Sequence, residues 1–423
     1  MLPGMEQAIA RLRAATREVH QQIEQLGYAQ ALLAGTLPLA LYGSFLRALH
    51  TIEVALEQAI ERSGSGALRT TFGRTVERRL RLERDLAYLG VDPHGVDRAA
   101  LSALVLGQRM RLAAERAPHA LLGYLYVVEG SQLGGLVQRA ALAQRSELQQ
   151  GGLTYLSGDG KNTQRRFEEF SARLESAAGD EATIELAIRG ALEAFAGFAA
   201  VLAALDPSGQ PDEPRSLVGE LNGEAGAHPM PEDLREIQAA LRAGERSWRS
   251  FAYYEARYGE RGLRFTRSDS AWLATLARED ASLSLRHIRW LGRVLAARGM
   301  PRLLLEQHLA LLHEELATSV AERATHYGAL LLCAEELRQE RTRALPTERE
   351  HVLVEAFCRG TQMEHGITPR EAASLLTSAV ADQLNDTPNA LSSLATWLAD
   401  PARFSQHWRE AVQQTLTLAR DHR

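Results

Sequence analysis

From Leu12 to Glu24 the chain reads LRAATREVHQQIE, with no glycine or proline to interrupt a helix. Leu12, Ala15, Val19 and Ile23 recur at spacings of three and four, which makes one apolar stripe along a helix. His20 lies one residue round from Val19, at the edge of that stripe. Glu24 follows four residues later, so its carboxylate can reach the imidazole from one turn away. A carboxylate that takes the proton of one ring nitrogen leaves the other as a free lone pair. This arrangement orients a metal-binding histidine and makes it more basic. Arg13, two turns before His20 and near the same face, is placed to meet an anionic group of a ligand. Taken alone, the pattern fits a surface or satisfied boundary histidine better than a metal ligand.

Hydrophobic residues make up 45% of the 423 positions, enough for two ordinary domains. A net charge of −5, with arginines interleaved among glutamates, marks no nucleic-acid partner. Cys333 and Cys358 allow one bridge at most and no cysteine-held cluster. The opening MLPGMEQ has no basic and apolar leader pattern, and the apolar run Ala191–Leu205 is short and interrupted by Glu193 and Gly197. A cytoplasmic chain with no membrane span is the expectation.

Residues from about 5 to 205 read as helices separated by short breaks. Gly35-Thr36-Leu37-Pro38 starts one helix, with Thr36 as its cap. The charged run TVERRLRLERDLAYL forms another, and a last pair is expected over about 181–205. Between them lies LLGYLYVVEGSQLGGLVQRAALAQ, Leu121 to Gln144. Its Gly130 and Gly134 share a face one turn apart, at a cost of about 1 kcal/mol each relative to alanine. Such a pair serves either close helix packing or close approach of something flat to the backbone. Gly160-Lys161 is not a phosphate loop, because the position needing the first glycine is Tyr155.

These stretches carry a resemblance. LRAATREVHQQIE resembles the opening helix of heme oxygenases, YVVEGSQLGGLV the distal helix of the bacterial branch, and GLTYLSGDGKNTQRRFEEF its later glycine-containing loop and helix. The three occur in the family's order and cover about the first 205 residues. The resemblance implies an all-α, multi-helix domain that sandwiches heme between two helices. It makes His20 the axial ligand of the heme iron and Glu24 its hydrogen-bond partner. Arg13 would face a propionate, with Tyr124 or Tyr126, and Arg166, as further propionate contacts. Gly130, Gly134 and the adjoining Gly135 become the distal glycines. Where the mammalian-type motif has an aspartate after the first distal glycine, this chain has Ser131, which leaves proton delivery unassigned. The implied reaction opens heme, as both cofactor and substrate, to biliverdin, carbon monoxide and ferrous iron with O2 as co-substrate. The alternative is a heme-binding sensor that does not turn over. No GxGxxG follows a strand, so electrons would come from an external ferredoxin or flavin reductase.

Residues 206–232 hold five of the fourteen prolines and four glycines, the composition of a linker. Residues 233–423 read as a second helical domain that could dimerise, dock a reductase or receive the bilin product. Leu303 to Glu340 reads as one long helix, and Ser268 or Asp269 as a cap for a helix entering Trp272. Thr368-Pro369-Arg370-Glu371 is a capping box. His308, Glu315, Glu322 and His326 share a helical stripe, and His351, Cys358 and His365 recur at sevens. Both sets fit a solvated or packed face better than a metal site.

Overall fold

A computed structural model describes residues 7–73, 76–207 and 217–420. Among them the ordered elements are helices, with one isolated bridge, Glu364 to Ile367. The chain divides into two compact units, Met1–Glu220 and Leu221–Arg423.

The first unit contains α1 (Gln7–Glu24), α2 (Gly27–Leu33), α3 (Leu39–Arg62), α4 (Gly66–Phe72), α5 (Val76–Leu89), α6 (Arg98–Arg116), α7 (Leu121–Leu142), α8 (Thr163–Ala177) and α9 (Glu181–Ala204). Caps set several of their starts. Asp97 Oδ1 accepts from Ala100 N and Asp180 Oδ1 from Thr183 N, each at 2.7 Å, satisfying amides that a helix start leaves unpaired. Thr36 does not cap α3; its hydroxyl turns back to Ala31 O, and Pro38 stands at the cap position.

The expected pair of helices over 181–205 is the single helix α9. Its glycines are where neighbours come close. A Cβ on Gly190 would lie 2.0 Å from Ala120 O, and one on Gly123 of α7 would lie 1.9 Å from Ala187 O. These two glycines let α7 and α9 pack almost backbone to backbone. On length and composition α9 could cross a membrane, yet Ala187, Ala191, Ala194 and Val201 are fully buried in this unit's core.

The second unit follows the short α10 (Val218–Leu221) with α11 (Leu234–Ser250), α12 (Ala252–Leu276), α13 (Ala281–Ala297), α14 (Arg302–Ser319), α15 (Gly328–Ala344), α16 (Thr347–Cys358), α17 (Pro369–Leu384), α18 (Ala390–Leu398) and α19 (Gln406–Arg420). The long helix expected from Leu303 to Glu340 is broken. Val320 leaves helical geometry (φ −132°, ψ 63°), and a 3-10 segment, Ala321–Tyr327, leads into α15. The break lets α14 and α15 pack on each other, so that Leu309, Leu312 and Leu316 share one core with Leu330, Cys333 and Leu337. A straight helix would hold those faces apart.

Ser268 and Asp269 are not caps either. Both lie inside α12, which kinks earlier, at Gly259 (φ 51°, ψ −154°). The capping box at Thr368 forms: its hydroxyl accepts from Glu371 N at 3.1 Å, with Pro369 in the first turn.

Candidate functional site

The buried stripe of α1 runs through Ala8, Leu12 and Thr16 and continues with the half-buried Val19 and Ile23. Ala15, expected on it, is exposed. Thr16 takes its place by donating its hydroxyl to Leu12 O at 2.7 Å, which satisfies the polar atom inside the core. This rotation puts His20 at the edge of the stripe with its ring against Phe195 of α9, edge to face at 5.7 Å between centroids. His20 Nδ1 lies 3.4 Å from Glu24 Oε1.

His20 and Glu24 open onto a cavity of about 510 Å³, within the usual range for cofactor sites of roughly 300–1,000 Å³. Arg13 reaches it from two turns earlier. Opposite stands α7, which contributes Tyr126, Gly130, Ser131, Gly134 and Gly135. Apolar walls come from α2, α3 and α9, and Phe167 of α8 joins them.

Gly130 and Gly134 differ from the packing glycines of the same helix. A Cβ on Gly134 would meet nothing within 4 Å, and one on Gly130 would meet only the Phe167 ring at 3.8 Å. Gly135 sits against Leu156, where a Cβ would lie 3.4 Å from the carbonyl. The bare face of α7 at 130 and 134 therefore borders open space. A second observation points to a ligand. Tyr28 is 1% exposed and lines the cavity, and its phenol oxygen has no hydrogen-bond partner within the protein. Burial raises its pKa well above the ordinary value, so it is a neutral donor. An imidazole backed by a carboxylate, a bare helix face across from it and an unpaired phenol suit a large planar ring carrying a metal.

Two residues expected at this site are elsewhere. Tyr124 is fully buried on the other side of α7, where its hydroxyl donates to Glu193 Oε2 at 2.6 Å. Two residues along a helix turn the side chain by about 200°, so Tyr124 and Tyr126 cannot both face the cavity. Arg166 is ion-paired with Asp159 Oδ2 at 3.0 Å and does not line the cavity. Conversely, Tyr28, Tyr155 and Phe195 border the cavity without having been expected there. Tyr155 sits in the loop stretch already noted, but nothing local shows which way it points.

In the second unit neither histidine set assembles. His308 is buried against Ser270, Glu315 pairs with Arg242 and Arg246, and Glu322 pairs with Arg235. His365 Nε2 is 2.6 Å from Arg403 O. Among the described residues no group of three or more His, Cys, Asp or Glu is arranged to hold a metal ion.

The family match agrees with this picture. Residues 6–204 match the heme oxygenase family model, and the C-terminal half has no family match. Heme oxygenase 1 of Gallus gallus is 25% identical over 193 residues, 44% of this chain; the chain spans 64% of the length of that relative. Among solved structures, heme oxygenase from Leptospira interrogans is 19% identical with a TM-score of 0.42, over 46% of this chain and 98% of that one. Heme oxygenase-2 from Synechocystis sp. PCC 6803, solved in complex with heme and NO, is 23% identical with a TM-score of 0.40, over 47% and 84%. The N-terminal half of this chain, residues 6–204, is a heme oxygenase family domain.

Proposed function

We propose that the first unit binds heme and cleaves it oxidatively to biliverdin, carbon monoxide and ferrous iron, with O2 and external electrons. One observation carries the reading. Across one cavity, the His20–Glu24 pair on α1 faces the bare Gly130–Gly134 surface of α7. Heme, when bound, supplies the iron and the conjugated ring that is opened.

The residues of the chain do the rest. Glu24 Oε1 stands 3.4 Å from His20 Nδ1; a proton held on that nitrogen leaves Nε2 as the lone pair for the iron. Arg13 offers its guanidinium to a carboxylate at the rim. Gly130 and Gly134 keep side chains away from the reacting face and bring backbone close to it. Phe167, Phe195 and Leu49 keep the walls apolar and exclude bulk water. The electron donor in this reading is an external ferredoxin or flavin reductase, and the setting is the cytoplasm. The second unit serves as a docking or dimerising partner, or receives the bilin.

The rival reading is a heme sensor without turnover. The fact in its favour is that Ser131 Oγ donates to Val128 O at 2.7 Å, so its proton is committed to the backbone. A hemin titration of the full-length protein separates the two, followed by ascorbate or a ferredoxin–reductase couple in air. Decay of a one-to-one Soret band into a biliverdin spectrum supports the enzyme. A stable Soret band beside an active control enzyme supports the sensor. No Soret band removes both.

A further inference from the structure

The second unit has a cavity of its own, about 90 Å³, lined by α11, α12, α13 and α14. That is the share of about three waters in the liquid, room for a ligand of a few heavy atoms. Its wall is mostly aliphatic and aromatic. Trp248, Tyr254 and Tyr258 stand there beside one carboxyl, Asp269 of α12, and one imidazole, His308 of α14.

The hydrogen-bond donors of this wall are turned to other partners. Trp248 Nε1 donates to Glu255 Oε2 at 3.0 Å, and the Tyr258 hydroxyl donates to Arg298 O at 3.1 Å. The Tyr254 hydroxyl pairs with Ser247. The Thr266 hydroxyl donates to Gly262 O at 3.1 Å, and Ser270 Oγ donates to Thr266 O at 2.5 Å. With its proton spent there, Ser270 Oγ accepts from His308 Nε2 at 3.2 Å. His308 is 7% exposed, and burial lowers its pKa to about 4, so the ring is neutral. Its one proton is on Nε2, and Nδ1 is left as a lone pair with no partner within the protein.

Asp269 is short of donors too. Among the described residues its half-buried carboxyl takes no hydrogen bond and closes no ion pair, and Arg298 acts on it only through space. A carboxyl withdrawn from water is ordinarily paired or hydrogen-bonded. A metal ion is a poor match, because one carboxylate and one imidazole in a largely apolar wall are too few ligands. A compact cation that brings its own N–H groups suits the carboxyl, and aromatic rings are favourable neighbours for it.

We propose that this cavity of the second unit binds a small protonated amine, whose N–H groups supply the donors that the wall lacks and whose charge is met by Asp269 beside Trp248, Tyr254 and Tyr258. The site is independent of the heme reading of the first unit.

The experiment is saturation-transfer NMR on the full-length protein at about pH 7.5, where a carboxyl titrating near 6 is ionised. The probe is ethylammonium chloride, and ethanol is its uncharged match in size. Ethylammonium should show saturable transfer with a Kd of about 1 mM or weaker, the range open to so small a ligand, and ethanol should show none. Asp269→Asn should weaken ethylammonium about tenfold or more. Equal transfer to ethanol and ethylammonium would make the site an apolar void. Undiminished binding by Asp269→Asn would take the carboxyl out of it. Either result overturns the proposal, as does the absence of saturable transfer to ethylammonium in the wild type. The comparison of the two probes on the wild type stands even if the variant does not fold.

Discussion

His20 Nδ1 lies 3.4 Å from Glu24 Oε1, one turn further along α1, and both residues line the cavity. The first prediction follows from this geometry. His20→Ala should abolish or shift the Soret band, with partial recovery on adding imidazole. Glu24→Ala should leave the ligand in place but weaken hemin binding roughly 10–100-fold, the usual cost of removing a carboxylate behind a ligating histidine. An unchanged Soret band in His20→Ala would remove the histidine from its assigned role.

The glycines of α7 divide into two kinds, and alanine should separate them. Gly134→Ala adds a methyl to open space, so the heme-free protein should gain about 1 kcal/mol from helix propensity while hemin affinity falls. Gly123→Ala drives a methyl to 1.9 Å from Ala187 O and should cost about 1–3 kcal/mol or more. Thermal melts of both variants, with a hemin titration of the first, check this. Equal destabilisation by the two would mean that Gly134 is also a packing position.

Tyr28 offers a separate check on the cavity. Its buried phenol has no partner within the protein, so Tyr28→Phe should leave the heme-free protein as stable as wild type, or more stable by about 1 kcal/mol. Urea unfolding measures this. A loss well beyond 1 kcal/mol would show that the hydroxyl is bonded in the heme-free protein.

In the second unit the half-buried Asp269 and the buried His308 should oppose each other with pH. Burial pushes the Asp269 carboxyl up from 3.8 to about 6, with Arg298 working against it, and pushes the His308 imidazole down from 6.5 to about 4. A raised carboxyl contributes stability that is present below its unfolded pKa and is lost as pH rises through about 6. A lowered imidazole contributes stability that is present above 6.5 and is lost as pH falls through about 4. Each effect is worth about 3 kcal/mol at most. Between pH 4 and 6 they cancel in part, so the wild type should show a flat profile there. Asp269→Asn should turn it into stability that climbs from about pH 4 to 6.5. Melts across this range test it, and a variant profile as flat as the wild type would contradict it.

Much of the first unit was legible because its signals are local. The interval of four between His20 and Glu24 and the shared face of Gly130 and Gly134 depend only on helix geometry, as does the capping box at Thr368 in the second unit. Where a feature needed a partner, the reading slipped. Val320 breaks the expected long helix because two apolar faces bury each other only if the chain turns back. Gly190 and Gly197 left α9 whole because the residues opposite them are Ala120 and Leu106, far away in the chain.

The sequence by itself determined that the chain is helical, that His20 and Glu24 act as a pair, and that α7 has a bare stripe. It also carried the family of residues 6–204. Tertiary structure alone decided what that stripe is for. Gly123 meets a carbonyl and Gly134 meets a cavity, although both are glycines of one helix. It also sent Tyr124 to Glu193, Arg166 to Asp159 and Tyr155 to Glu53. Periodicity gives the direction of a side chain about its own helix axis, but the atom waiting in that direction is supplied by another part of the chain.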